Sequence, residues 1–434
     1  MLSGNSHRIG ASTPLVIALG ATLNQSSILG GFNLSLADMV VVILLVGLAY
    51  RRQLHVPSGP LTVFLLFSTV ITFNAAFIVP ALTSVDVSLT TVLGGYIKLW
   101  ASFLFFVVGM QLARMGELWA FARSFYFTAC AVSSIGALYL VGIHVPLTQE
   151  MVLFGFRFVG LMNDPNYYSV LTVAALAIMY RDKDISSRLK PILSMVLVAG
   201  VLSSASKTGL VALLLWVIWI LTVSIRRDLR ERPAALVSKV VATATLAGLI
   251  VLLLEDSSGD WFANTENPAL QRIAPIFTDF DSATSDGGSS RGEAWGNALV
   301  VTGRLPILGT GPGAYSPVAQ HLVGSAVIAH NTFLQLLAEW GIPLSMIFWI
   351  IVTITLTRAS SGTPRSVTLA LRDASLVLLV GSIGISLNNA RLFWVLLGAL
   401  FFTISSNARL PNQHEFPGGE SFSRVPIGFE RSTH

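Results

Sequence analysis

Charge is what this chain has least of. Only 11% of its 434 residues are Asp, Glu, Lys or Arg, against roughly 25% in soluble domains. That deficit excludes an ordinary soluble enzyme, because such a surface could not be solvated. Cysteine is nearly absent as well: Cys130 is the only one, and it lies inside an apolar run, so no intramolecular disulfide framework exists. The Walker and HExxH patterns are missing from the polar segments, which leaves a P-loop nucleotide site and an HExxH zinc site without sequence support. The net charge of +5 does not indicate nucleic acid, because the basic residues fall in short clusters between apolar runs, as orientation signals do.

What is present is apolar sequence. Hydrophobic residues make up 53% of the chain and the mean hydropathy is +0.71. Many runs approach the ~20 residues needed to cross a bilayer. They are continuous rather than alternating, which argues for helices and against a β-barrel. The expected fold is all-α, a polytopic transmembrane helical bundle of about 12 spans with one large periplasmic loop. The candidate spans are 11–30, 34–50, 60–80, 89–111, 118–141, 166–180, 190–206, 208–225, 237–254, 340–357, 371–388 and 391–405. Arg8 followed by an apolar stretch without a small-residue cleavage site reads as a retained first span.

The organisation follows. Residues 1–254 form an N-terminal bundle of about nine spans, 255–339 a periplasmic loop with short helices, 340–405 the C-terminal spans, and 406–434 a polar, disordered cytoplasmic tail. With both termini inside, 20 of the 27 Lys and Arg residues fall on the cytoplasmic side. The other seven need a separate reason. Lys98 sits within a span, and Arg157, Lys207, Arg272, Arg291, Arg304 and Arg391 fall on the outer side.

The outer loop carries eight acidic residues between 255 and 330 and opens Gly/Ser/Asp-rich, with SDGGSS at 285–290 read as flexible loop. From Arg291 to Val301 the pattern turns helical, with Arg291 and Trp295 one turn apart on a shared face. GTGPGAY at 309–315 forces turns. Asn331 is a good N-cap for a helix running into LQLLAEWG, and Gly341 with Pro343 should break that helix before the next span.

Several outer residues fit chemistry on a lipid-linked phosphate. His330 at a helix start could act as a base near neutral pH, or be an interfacial histidine with a structural hydrogen bond. Arg291 and Arg304 could grip phosphate oxygens bidentately, or pair locally with Glu293; Trp295 beside Arg291 could stack a sugar ring. Arg157, set among aromatic and apolar neighbours, needs a partner or a use, and Asp164 is the obvious local partner. Asn163-Asp164-Pro165-Asn166 makes a turn that caps the span starting at Asn166. Lys207 is a snorkelling lysine or a phosphate contact. Lys98 marks a pathway, has a partner or reaches the interface; Arg391 reads as a span-end anchor. Gly309, Gly311 and Gly313 look nucleotide-like only superficially, since no strand precedes them and Pro312 interrupts.

FRFVGLMNDPN, SSASKTGL and the 291–343 stretch together resemble the bacterial O-antigen ligase and Wzy-type polysaccharide polymerase superfamily. The residues that carry the resemblance are Arg291, Trp295, Pro306, Gly309, Gly311, Gly313, His330, Asn331, Glu339 and Gly341. The resemblance implies a metal-independent membrane glycosyltransferase, without cofactor, in the bacterial inner membrane. It would move a glycan from undecaprenyl diphosphate to an acceptor sugar hydroxyl on the periplasmic side. His330 would be the general base, Arg157, Arg291 and Lys207 would hold the diphosphate, and Trp295, Asn331 and Glu339 would position substrate. Family members often carry serine-arginine where this chain has Ser206-Lys207, which keeps the charge but loses the fork. The implied partners are the lipid-linked oligosaccharide, the acceptor glycan, the bilayer, and a flippase and chain-length regulator of the same pathway; nucleic acid is not among them. The leading expectation is a polymerase in exopolysaccharide or O-antigen synthesis. A ligase onto lipid A-core is the alternative, and a lipid or solute transporter the alternative of another class; against the transporter stand the one-sided cation cluster and the lack of an internal repeat.

Overall fold

The computed structural model describes residues 12–26, 34–146, 148–231, 268–273, 291–361, 365–387 and 390–407. The expected span 237–254, the stretch 285–290, Arg8 and the polar tail lie outside the described residues.

The architecture is all-α. In chain order the helices are α1 (Thr13–Thr22), α2 (Leu36–Tyr50), α3 (Ser58–Phe73), α4 (Val79–Thr83), α5 (Leu89–Met115), α6 (Leu118–Leu140), α7 (Pro165–Arg181) and α8 (Leu189–Ser203). They continue with α9 (Lys207–Glu231), α10 (Pro268–Ile273), α11 (Arg291–Arg304), α12 (Tyr315–Val323), α13 (Thr332–Arg358), α14 (Ser366–Gly381) and α15 (Arg391–Asn407). A π-helical turn, Asn74–Ile78, joins α3 to α4. Two short antiparallel strands, β1 (Val152–Leu153) and β2 (Arg157–Phe158), place Leu153 opposite Arg157.

Four of the described helical stretches are long and apolar enough to cross a membrane: Ser58–Thr83, Leu89–Met115, Lys207–Arg226 and Thr332–Arg358. Thr13–Thr22, Leu36–Tyr50, Leu189–Ser203 and Arg391–Ser406 are apolar but shorter. Membrane-spanning character is therefore plain, whereas twelve crossings remain an expectation.

Helix α7 is the axis of the bundle. It is buried on every side from Tyr168 to Met179 and packs on α6, α8, α9 and α14, as expected for a helix apolar all round. Its entry is set locally: Asp164 is the N-cap, its carboxylate accepting from Tyr167 N at 2.8 Å, and Pro165 takes the first turn. The turn Asn163–Asn166 thus caps the helix as expected, through Asp164. Helices α5 and α15 meet backbone to backbone. A Cβ on Gly109 would lie 2.0 Å from Val395 O, and one on Gly398 2.0 Å from Phe106 O, so only glycine permits this crossing.

The break in α13 comes at Gly341, with φ 75° and ψ 171°, as its glycine and Pro343 predicted. Breaking a helix frees carbonyls, and the glycine-rich loop satisfies them. Thr310 N donates to Ala338 O at 2.8 Å and Gly311 N to Glu339 O at 2.7 Å, while Ile342 N returns to Pro306 O at 2.8 Å. The loop is also clamped from the π-helical turn, where Asn74 Nδ2 donates to Gly309 O at 2.8 Å. GTGPGAY is therefore a close-packing wedge whose N–H groups are used on protein carbonyls.

Candidate active site at the head of the central helix

The first two motifs meet at the N-terminal end of α7. Arg157, on β2, is 7% exposed. Its Nε donates to Ser204 O at 3.3 Å and an Nη to Asn166 Oδ1 at 3.0 Å. Ser206 Oγ donates to the same Asn166 oxygen at 2.9 Å and accepts from Gly209 N at 3.0 Å, holding the first turn of α9. Asn166 thus ties FRFVGLMNDPN to SSASKTGL and brings Arg157 beside Lys207. The ion pair with Asp164 suggested by proximity in sequence is not formed: that carboxylate is engaged as the helix cap and acts on Arg157 only through space.

Two further arginines converge here. Arg272, on α10, and Arg291, at the start of α11, both act electrostatically on Arg157 and Lys207. Burial, then the charge of Arg272, with Arg291 adding a smaller push, lowers the Arg157 pKa to about 10, with Asp164 opposing. Arg291 is lowered too, first by burial and also by Arg272, against the pull of Asp164. Both guanidinium groups remain charged at neutral pH. Among the described residues, no ion pair reaches either one. Arg291 does not pair with Glu293, which is exposed. Arg304 lies at the far end of α11, exposed, some ~20 Å along the helix axis at 1.5 Å per residue, and does not join the cluster. Trp295 is half-buried one turn after Arg291, and its indole N–H is buried without a hydrogen-bond partner.

His330 comes to the same place from the other side. Its φ of 49° is left-handed, a sparsely populated region for a residue with a side chain. Several bonds around it hold that conformation. Asn331 caps α13 through its side-chain oxygen, which accepts from Phe333 N at 2.9 Å and Leu334 N at 3.2 Å. Thr332 N donates to Ser382 O at 2.8 Å, and its hydroxyl donates to Ile385 O at 2.9 Å. Gln335 accepts from Ala329 N at 3.0 Å. The imidazole is solvent-reachable, and its pKa is pulled below the usual 6.5, first by partial burial and then by Arg291, with Asp164 opposing. At pH 7 the ring is neutral and keeps a lone pair for a proton.

A cleft of about 390 Å³ opens beside His330, lined also by Asp164, Tyr167, Lys98, Ser386 and an ion pair between Asp38 and Arg391. That pair is bidentate, Arg391 Nε to Asp38 Oδ1 at 2.8 Å and an Nη to Oδ2 at 2.6 Å. Arg391 is therefore more than the span-end anchor expected of it. Asp38 was missed from sequence, although it is the only acidic residue among the first 85, and a lone acid in apolar sequence calls for a partner. Arg272 was noted as out of place but given no role. Glu339 does not line this cleft. It lines a neighbouring cavity of about 320 Å³, where Gln335 Nε2 donates to its Oε1 at 2.6 Å.

Comparison with known families agrees with the motifs. Residues 192–349 match the family described as O-Antigen ligase, a segment that runs from α8 into α13 and contains Lys207, Arg291, Trp295, His330, Asn331 and Glu339. Arg157 lies outside the matched segment. No curated protein matches the chain. Over residues 192–349, then, this chain matches the O-antigen ligase family, the superfamily its motifs resemble.

Proposed function

We propose that the chain is a membrane glycosyltransferase that moves a glycan from undecaprenyl diphosphate to a sugar hydroxyl, acting as a polymerase on the periplasmic face of the inner membrane. One observation carries this reading: Arg272 and Arg291 both act on Arg157 and on Lys207, and Arg291 also acts on a neutral histidine, His330. Gathering like charges is costly unless an anion comes to join them. A diphosphate supplies that charge, and arginine suits its oxygens.

The reaction then needs few parts. Arg157, Arg291 and Lys207 hold the diphosphate and stabilise the charge that builds on its oxygen as the C1–O bond breaks. His330 accepts the proton of the acceptor hydroxyl while that oxygen bonds to C1. The carrier leaves as the free diphosphate, and direct displacement inverts the anomeric centre. The Trp295 N–H and ring contact the transferring sugar. Asn331 positions His330 through the cap, and Glu339 positions substrate from the adjoining cavity. The matched family's description favours a second reading, ligation onto lipid A-core, with the same machinery and a different acceptor.

The test is transfer by purified full-length protein supplied with lipid-linked oligosaccharide, with product length as the readout. His330→Ala should lower the rate by ~10²–10⁴-fold, the usual contribution of a general base. A stably inserted His330→Ala variant that turns over at the parent rate defeats the assignment. Substituting lipid A-core as acceptor separates polymerase from ligase.

A further inference from the structure

The two cavities meet at Lys98 and Ser102, the residues that line both. Lys98 lies one turn before Ser102 on α5, with the cleft of His330 to one side and the cavity of Glu339 to the other. Among the described residues the Lys98 ammonium makes no hydrogen bond or ion pair, although Glu339 lies within electrostatic reach. An intramembrane cation without a bonded partner ordinarily has a ligand or a path to serve.

The second cavity has a definite chemical character. Its walls carry the ammonium of Lys98 and the carboxyl group of Glu339, together with the hydroxyls of Thr90, Thr91 and Ser102 and the indole of Trp340. The buried carboxyl group of Glu339 does not suit a phosphate and Lys98 would repel a metal ion, so the site favours a neutral ligand. These donors and acceptors surround a space of about 320 Å³, at the small end of the ~300–1,000 Å³ range of ligand pockets. A sugar ring has the matching pattern, since each hydroxyl both donates and accepts. Gln335 fixes Glu339 on one oxygen and accepts from Ala329 N through its other end. The cavity is thereby built onto the same turn that holds His330.

We propose that this cavity is a second sugar subsite, in which Lys98 and Glu339 hold a ring of the glycan whose reacting end lies against His330. This rests on the transferase reading above and adds where the chain runs: from the cation cluster past His330, over Lys98, into the cavity. Lys98 and Glu339 are positioning residues, reading the glycan at a distance from the bond that changes.

Cysteine protection tests the idea without requiring turnover. Cys130 is buried, so labelling by a small water-soluble methanethiosulfonate reports on an introduced thiol. Gly94→Cys places one in the second cavity, where a Cβ meets nothing within 4 Å; Thr90→Cys serves if that variant does not insert. Ile328→Cys places one in the cleft of His330. The background is the full chain carrying His330→Ala, and the probe is lipid-linked oligosaccharide extracted from membranes of the cells of origin.

The oligosaccharide should slow labelling at both positions, whereas undecaprenyl diphosphate without sugar should leave Gly94→Cys labelling at its unprotected rate. Adding Lys98→Met should raise the half-protecting concentration at Gly94→Cys by ~10-fold, the loss of one charge-assisted hydrogen bond. Protection of Ile328→Cys with none at Gly94→Cys overturns the subsite and leaves the transferase reading standing. Equal protection of Gly94→Cys by the sugar-free carrier also overturns it, since the ligand there would be lipid. Protection at neither position removes the transferase reading and the subsite with it.

Discussion

The two ends of α7 differ in how completely their arginines are paired. At the C-terminal end, arginines are matched by carboxylates. Arg123 donates to Asp182 at 2.8 Å and also reaches Asp184, and Tyr126 donates to Asp182 at 3.0 Å. Asp373, fully buried, takes Arg181 at 2.7 Å and Arg372 at 2.5 Å, while Arg372 also donates to Ser360. At the N-terminal end, ~25 Å away along a 17-residue helix, Arg391 is paired with Asp38, but Arg157 and Arg291 face other cations, and the carboxylate of Asp164 is spent as a helix cap. Paired charge holds a structure together. Unmatched charge of one sign is kept where something else must bind, and that contrast locates the site more firmly than any one residue does.

The sharpest way to break the contrast is at the paired end. Asp373→Ala leaves Arg181 and Arg372 without their shared carboxylate, and such losses cost about 3–5 kcal/mol. The melting temperature in detergent should fall steeply, while the donor KM of whatever protein remains inserted stays unchanged. A variant that melts like the parent would show that the buried triad holds nothing.

At the other end the same kind of change should act on binding and leave folding alone. Arg291→Gln removes a cation that burial and its neighbours already disfavour, so the melting temperature should hold or rise. Donor affinity should drop by about 1.5–3 kcal/mol, the value of a hydrogen bond to a charged group, read as a roughly 10- to 100-fold higher donor KM. A pH profile sharpens this further. Arg291 helps keep the His330 pKa below its ordinary value, and transfer needs the neutral ring. In the parent the rate should fall as pH drops through that lowered pKa. Without Arg291 the pKa rises, and the acid limb should move to higher pH. A limb that stays in place would mean that the two residues are not coupled.

How far the sequence carried this site depends on the range of the interactions. Local signals were legible: the cap at Asn331, the helix break at Gly341, the helix opening at Arg291, and the standing of Arg157 and Lys207 as cations misplaced for topology. The first three depend on residues a few positions apart. What could not be read was pairing across the bundle. Asp38 and Arg391 are 353 residues apart, so nothing local marks them as partners. Lys98 and Glu339 became neighbours only because α5 and α13 share a cavity wall. The nearest acid in sequence misled for Arg157, because Asp164 had a helix to cap. The use of GTGPGAY as a plug for the broken α13 could not be read either, since it required knowing where the freed carbonyls pointed.

The smallest expected effect tests how the strained turn at His330 is held. Asn331 satisfies the N–H groups of Phe333 and Leu334, and losing a cap of this kind costs about 1 kcal/mol. Asn331→Ala should therefore speed amide exchange at those two positions while leaving the helix register in place, since Thr332 stays bonded to Ser382 and Ile385. A loosened first turn lets His330 leave its left-handed conformation, so kcat should fall severalfold with donor KM unchanged. Asn331→Ser, which restores a capping oxygen, should recover the rate. If Asn331→Ala instead raises the donor KM and serine does not rescue it, the side chain touches substrate directly and the cap is incidental to catalysis.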